Sequence, residues 1–477
     1  DADARMVAQA LIGTPGHINS LGAAAQNLIK KIPVEELNDG DVLITNDPWM
    51  SAGHFFDITI LTPIFRKDRL IGFCGSTIHH TDIGGYGIGA GARDIHEEGL
   101  WIPVLKLYER GELNDTLSKI IHTNVRTPNA IFGDLGAQVA SGKTGAERLN
   151  GMCDRYGLDD IGTLADEIIA RSEASTRDAI KELPGGTFVG ETTFDVPSGE
   201  VIKLVTSVTI DVQTGSIEID FSGSSGPSSS GINVVMAYTH AYSSFAVRSI
   251  VNPDLPNNAG SLAPIKVTAP DESIVNAKYP VPVNARHVVG MYVPFPILNA
   301  LSKAVPDRIL AEGSGAVWTF QVQGRTAEGE PFTSSMFNYS GGMGARAEKD
   351  GLSATCYPTG VSAVPVEVLE ASIPIEFTTK ELVEGSGGDG QFRGGDGQRI
   401  GFRLKTEHNW LLNAIPSRLN IAAQGLNGGE PGKAGSFLIN GQALLEAKKR
   451  EMQPDDEVLM ETPGGGGFGE ADASRPR

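Results

Sequence analysis

At residue 187 the hydrophobic period of this chain changes, and that change limits its fold more than any other feature. Before it, LADEIIARSEASTRDAIKEL (164–183) spaces Leu164, Ile168, Ala179, Ile180 and Leu183 so that they can share a helical face, and Pro184-Gly185-Gly186 stops the helix. After it, TFVGETTFDV, EVIKLVTSVTIDV and SIEIDFSG alternate with a period of two, with Thr214-Gly215 as the turn between the last two. Helices and antiparallel strands that occupy separate stretches predict an α+β protein, not a regular βαβ array. The expected architecture is β-rich, mixed and multidomain, with no Rossmann or P-loop domain. Three regions are expected. Residues 1–186 form an α/β region, residues 187–314 a β-rich mixed region with helices near 235–251 and 296–312, and residues 315–477 a β-rich C-terminal region. The polar stretch SGSSGPSSSG (222–231) is short and lies among strands, so an ordered loop is expected there. The 59 glycines signal tight loops rather than a helical bundle.

Charge removes several classes of function. Lys and Arg total 39 and Asp and Glu 58, so the formal charge is 39 − 58 = −19. Such a chain is a poor nonspecific partner for nucleic acid or an anionic membrane. No apolar run approaches the ~18 residues that span a bilayer, and DADARMVAQA has no signal-peptide core. Those first residues read as the interior of a longer chain, so a preceding segment is expected. Cys74, Cys153 and Cys356 are odd in number and far apart, and no CxxC exists. They make neither a disulfide framework nor a thiolate zinc site, and a cytoplasmic location is the simplest reading.

The first region carries the strongest chemical signal. GDVLITNDP (40–48) reads as a short strand, and DITILTPIFRKDRLIGFCGSTIHH (57–80) as two strands joined at Lys67-Asp68. His54-x-x-Asp57 and His79-x-x-Asp82 share one spacing and flank this hairpin. Strand pairing is expected to bring two imidazoles and two carboxylates together beside the glycine loop DIGGYGIGAGARD (82–94). Imidazole with carboxylate suits zinc, manganese or iron(II). Asp47 precedes the cluster and can orient a ligand. Ordinary polar loop residues remain the alternative. His80 is expected to face away from His79 on an extended strand. His96 with Glu97-Glu98 reads as a solvated helix start, and His17 has no visible partner. The stretch GAQVASGKT (136–144) misses the P-loop spacing by one residue, and GGYGIGAG (84–91) lacks a strand–helix context. The glycines of 84–91 are expected to let a substrate approach backbone. Arg393 and Arg399 in GSGGDGQFRGGDGQR (385–399) fit a structural turn cluster better than an anion site.

Several segments carry a resemblance. NDPWMSAGHFFDITILTPIF (46–65), HHTDIGG (79–85), EEGLWIPVLKL (97–107), NVRTPNAIFGDLGAQ (124–138), GGMGAR (341–346), PVEVLE (365–370), SGGDGQFRGGDGQR (386–399) and TPGGGGFG (462–469) resemble, in order, the hydantoinase B/oxoprolinase family. The resemblance implies a divalent metal, zinc or manganese, on His54, Asp57 and His79, with Asp82 and Asp47 as further catalytic candidates. It implies a hydantoinase A-type partner chain that binds ATP, in a hetero-oligomer. The implied reaction is hydrolysis of a cyclic amide (hydantoin, oxoproline or lactam) after phosphorylation by the partner. The alternative is ATP-dependent carboxylation of a ketone such as acetone or acetophenone, and the alternating glycines of 85–91 resemble that branch more. A third reading is a noncatalytic subunit whose metal only staples loops.

Overall fold

The computed structural model describes residues 1–471 except Leu11, Leu445, Ala447 and the side chains of Phe337 and Asn338. In chain order its elements are α1 (Pro15–Lys31), β1 (Val42–Thr45), β2 (Asp57–Arg66), β3 (Arg69–His79), β4 (Leu105–Glu109), β5 (Glu112–Leu113), α2 (Asp115–Asn124), α3 (Pro128–Tyr156) and α4 (Gly162–Lys181). There follow β6 (Gly186–Asp195), β7 (Val201–Asp211), β8 (Ser216–Asp220), α5 (Met236–Arg248), α6 (Ala259–Leu262), β9 (Ile265–Thr268), α7 (His287–Gly290) and α8 (Pro294–Leu301). The last are β10 (Trp318–Arg325), β11 (Pro331–Tyr339), α9 (Val366–Ser372), β12 (Ile375–Leu382), β13 (Gln398–Leu404), β14 (Trp410–Ile415), β15 (Ser436–Ile439), β16 (Gln442–Ala443), β17 (Arg450–Met452) and β18 (Glu457–Glu461). The mixed α+β architecture is as expected.

The first sheet runs β3-β2-β1-β4-β5 and is antiparallel throughout. Lys67 and Asp68 have φ of 48° and 66°. Two left-handed residues in a two-residue turn match the twist of the flanking strands, which is why the hairpin closes there. Both faces of the sheet are covered. Leu43 and Leu61 pack with Ala25 and Leu28 of α1, while Ile44, Ile58 and Ile60 pack with Ile131 and Leu135 of α3. The hairpin register pairs Asp57 with His79 at its open end. A second sheet runs β6-β7-β8-β9, and 222–231 is an ordered loop bonded back to β7 through Ser224 and Ser225.

Two helices differ from expectation. The buried stripe of α4 is Ala165, Ser172, Thr176 and Ile180, whereas Leu164 is 43% exposed. The small residues are needed because α6 approaches closely: a Cβ on Gly260 would lie 1.9 Å from the Ile169 carbonyl oxygen, and Asn258 donates to Ser172 Oγ at 2.8 Å. The helix expected over 296–312 ends at Leu301. Pro306, which lacks an N–H, starts a separate short turn.

The C-terminal strands form two sheets, β11-β10-β14-β17 and β12-β13-β18-β15-β16. They meet through aromatic contacts such as Phe320 on Phe402, centroids 4.8 Å apart. Beside them, the glycine motifs 341–346, 385–397 and 463–467 hydrogen-bond to one another outside any strand. Gly395 N donates to Met343 O (2.9 Å), Gly465 N to Gly395 O (3.0 Å) and Gly388 N to Gly465 O (2.8 Å). A Cβ on Gly342 would stand 1.7 Å from the Gly395 oxygen, and one on Gly465 2.2 Å from the Met343 oxygen. Only a chain without side chains packs backbone on backbone this closely. Arg399 is engaged by Glu381 and Glu461 at 2.7 Å each, which accords with the structural reading of this cluster. Residues 136–144 lie inside α3. Helical N–H groups are committed to the helix, so they cannot wrap a phosphate.

Candidate metal centre

The centre forms where the β2–β3 hairpin opens. Asn46 braces the approach: its Nδ2 donates to the carbonyls of Phe55 (2.8 Å) and Leu100 (2.9 Å), and its Oδ1 accepts from Ile102 N–H (2.7 Å). Residues 47–56 then turn back so that His54 and Asp57 point to the same side. Gly53, with φ of 97°, is required here, because a Cβ would press on Arg286 Cδ at 2.7 Å.

His54, Asp57 and His79 each present a ligand atom within 4.8 Å of the others. His54 and Asp57 are buried and His79 is half-buried. His54 Nδ1 lies 2.7 Å from the Asn284 carbonyl. A carbonyl only accepts, so Nδ1 carries the hydrogen and Nε2 presents its lone pair. That lone pair lies 2.9 Å from Asp57 Oδ1, without hydrogen-bond geometry. Two acceptors in contact are what a cation between them would relieve. His79 Nδ1 is 3.2 Å from the same oxygen, and its ring stacks on Phe56.

Asp57 Oδ2 faces the opposite way. It accepts from His17 Nε2 at 2.9 Å and from Arg286 Nη2 in a short contact. Arg286 is itself buried, with its guanidinium 4.0 Å over the Tyr238 ring. Burial would raise the Asp57 carboxyl, but Arg286, His17 and His54 outweigh it and hold it well below the ordinary range. Burial, helped by Arg286, pushes His54 down to about 4, and burial also lowers His79. The set therefore offers neutral imidazoles and an ionised carboxylate, the protonation states that metal binding requires.

The other expected residues are placed differently. Asp82 does not join the cluster. Its carboxylate accepts from Gly84 N–H (3.1 Å), from Arg126 Nη1 (2.7 Å) and from Arg126 N–H. The chain leaves the strand after His79, so the second His-x-x-Asp does not repeat the geometry of the first. Asp47 caps a turn, accepting from Trp49 N–H at 2.9 Å. His80 turns away from His79 onto Gln138, at 3.3 Å. The faces of Gly87, Gly89 and Gly91 are occupied by the protein's own Gln321, Asn413 and Tyr86, and those of Gly84 and Gly85 by the backbone of Asn124 and Gly99. Glu97 pairs with Arg93 at the surface, but Glu98 is 1% exposed, contrary to the solvated reading. Arg286 and Asn284 went unrecognised in the sequence. The available signal was Arg286-His287 inside an apolar run, since charge in such a run is usually buried and paired.

A cavity of about 650 Å³ adjoins the centre at His17 and Thr77. Leu21, Phe73, Met152, Ile161, Leu164 and Ile168 give it a largely apolar wall.

The Hydantoinase B/oxoprolinase family profile matches residues 1–471. The chain belongs to the hydantoinase B/oxoprolinase family. The B-type chain of a putative D-/L-hydantoinase from Pseudomonas sp. (strain NS671) is 31% identical over 91% of this chain and 76% of its own. The fold is shared with ATP-dependent caprolactamase from Pseudomonas jessenii, at a TM-score of 0.87, 24% identity, 98% of this chain and 83% of that one. It is shared also with nucleotide-free acetone carboxylase, at a TM-score of 0.83, 19% identity, 95% of this chain and 68% of that one. Among the described residues of this family member, no helix is long and apolar enough to cross a membrane.

Proposed function

We propose that this chain is the metal-carrying subunit of a cytoplasmic, ATP-dependent enzyme that opens a cyclic amide after a hydantoinase A-type partner has phosphorylated it. The observation that carries the reading is the His54 lone pair held against Asp57 Oδ1, with His79 on the same oxygen. Family membership, and a hydantoinase relative that is itself one subunit of its enzyme, support the division into two chains. His54, Asp57 and His79 would hold the ion, zinc or manganese, since their donor set suits both. When bound, such an ion supplies Lewis acidity toward an oxygen of the activated substrate.

The chain's own residues prepare the site. Arg286 and His17 hold Asp57 Oδ2, so Oδ1 stays turned toward the imidazoles. The Asn284 carbonyl holds His54 in the tautomer whose free nitrogen faces inward. The largely apolar cavity beside His17 is suited to a small ring. Asp47 and Asp82 act by holding the loops on either side of the hairpin.

The test is the complex with its A-type partner. The expected result is that His79→Ala abolishes product formation while partner-driven ATP hydrolysis persists in part. Of hydantoin, 5-oxoproline and lactam substrates, at least one should turn over without bicarbonate. Strict dependence on bicarbonate with a ketone substrate would replace hydrolysis by carboxylation. Activity that survives complete metal removal would make the ion structural.

A further inference from the structure

Glu98 is a costly residue where it stands. Its side chain is buried, carboxylates are rarely buried without a reason, and its Oε2 has no hydrogen-bond partner among the described residues. Burial pushes its carboxyl well above the ordinary range, against two backbone N–H groups that favour the charge. Those groups belong to Val283 and Asn284, which both donate to Oε1, at 2.6 and 2.8 Å. The turn so anchored reaches the metal centre at two points. The Asn284 carbonyl holds His54 Nδ1, and Arg286 holds Asp57 Oδ2. The same turn ties down the glycine loop, since Asn284 Nδ2 donates to Gly87 O at 2.6 Å.

We propose that Glu98 is a positioning residue of the centre: it fixes the 283–286 turn, and that turn fixes the tautomer of His54 and the orientation of Asp57. This rests on the metal reading given above. If the turn relaxes, the Asn284 carbonyl leaves His54 Nδ1. The ring hydrogen is then free to move to Nε2, which removes the lone pair facing Asp57. Outer partners of this kind typically change metal affinity about 10–100-fold.

The experiment titrates the metal-free full chain with zinc, and separately with manganese, against a competing chelator. Glu98→Met keeps the length and removes the acceptor; Glu98→Gln keeps a carbonyl oxygen where Oε1 stands. Expected are a dissociation constant about 10–100-fold higher for Met and one within about threefold of the parent for Gln. The visible spectrum of cobalt bound in place of zinc should shift for Met and not for Gln. Parent-like affinity in Glu98→Met overturns the proposal, and so does a Gln variant as weak as the Met one. Should Glu98→Met fail to fold, Glu98→Asp withdraws the acceptor by one methylene. It should bind less tightly than the parent, and equal affinity would overturn the role. A parent protein that takes up no ion is a different failure, of the centre itself, and shows in the first titration.

Discussion

Asp57 is surrounded by Arg286, His17, His54 and His79, and substitutions there do more than remove a ligand. Asp57→Asn leaves the buried Arg286 guanidinium without its counter-charge, so the expected loss of stability is about 3–5 kcal/mol besides the loss of metal. Denaturant midpoints of the metal-free proteins check this: an unchanged midpoint would show that Tyr238 and the Ala52 carbonyl suffice for Arg286. His79→Ala, on a half-buried ring, is the cleaner probe of chemistry. His80 bears on pH. Burial first of all pushes it down to about 4, whereas in the unfolded chain it titrates near 6.5. A base whose folded pKa is depressed takes up its proton first in the unfolded state. Its contribution is therefore intact above about pH 6.5 and is lost as pH falls toward 4, amounting to about 3 kcal/mol when complete. Urea unfolding of metal-free protein at pH 7, 6 and 5 should show this slope, and His80→Gln should flatten part of it.

At the scale of elements, glycine has two unrelated uses in this chain. In the backbone-on-backbone cluster, Gly465→Ala places a methyl carbon 2.2 Å from the Met343 oxygen, with no side chain to move aside. The expected cost is at the upper end of overpacking or beyond it, about 3 kcal/mol. Gly133, on the exposed side of α3, meets nothing within 4 Å, so Gly133→Ala should stabilise by about 0.5–1 kcal/mol. Melting temperatures that moved the same way for both would contradict this account. The α4 stripe carries a related lesson. Its large apolar residues at 164 and 168 border the cavity, while Ala165, Ser172 and Thr176 bury together with Ile180, because small residues are needed where the neighbouring backbone comes close.

At the scale of the molecule, the family supplies an ATP-dependent setting, while this chain's one phosphate-loop lookalike is helix interior. Lys143, whose Nζ lies 5.7 Å from the Tyr108 ring, faces no glycine cradle. The isolated chain should therefore show no micromolar ATP affinity by calorimetry, and Lys143→Ala should leave the activity of the assembled complex within about twofold of the parent. Tight nucleotide binding by this chain alone would move the energy-input site onto it.

What the sequence determined is whatever depends on near neighbours. The Lys67-Asp68 turn, the change to period two after 186, and the pairing of Asp57 with His79 follow from residues at most a hairpin apart, so local conformational preference suffices to reveal them. Spacing brought His54, Asp57 and His79 near one another in the same way, but together with Asp82; the set of three came from the family resemblance. Tertiary structure alone decided the rest. Asn284 and Arg286 reach His54 and Asp57 across separations of 230 and 229 residues, and Glu98 reaches Asn284 across 186. No periodicity encodes a contact at that distance. Asp82 shows the limit most plainly: it has the same spacing from a histidine as Asp57, yet it pairs with Arg126, because the partner available after folding decides where a buried carboxylate turns.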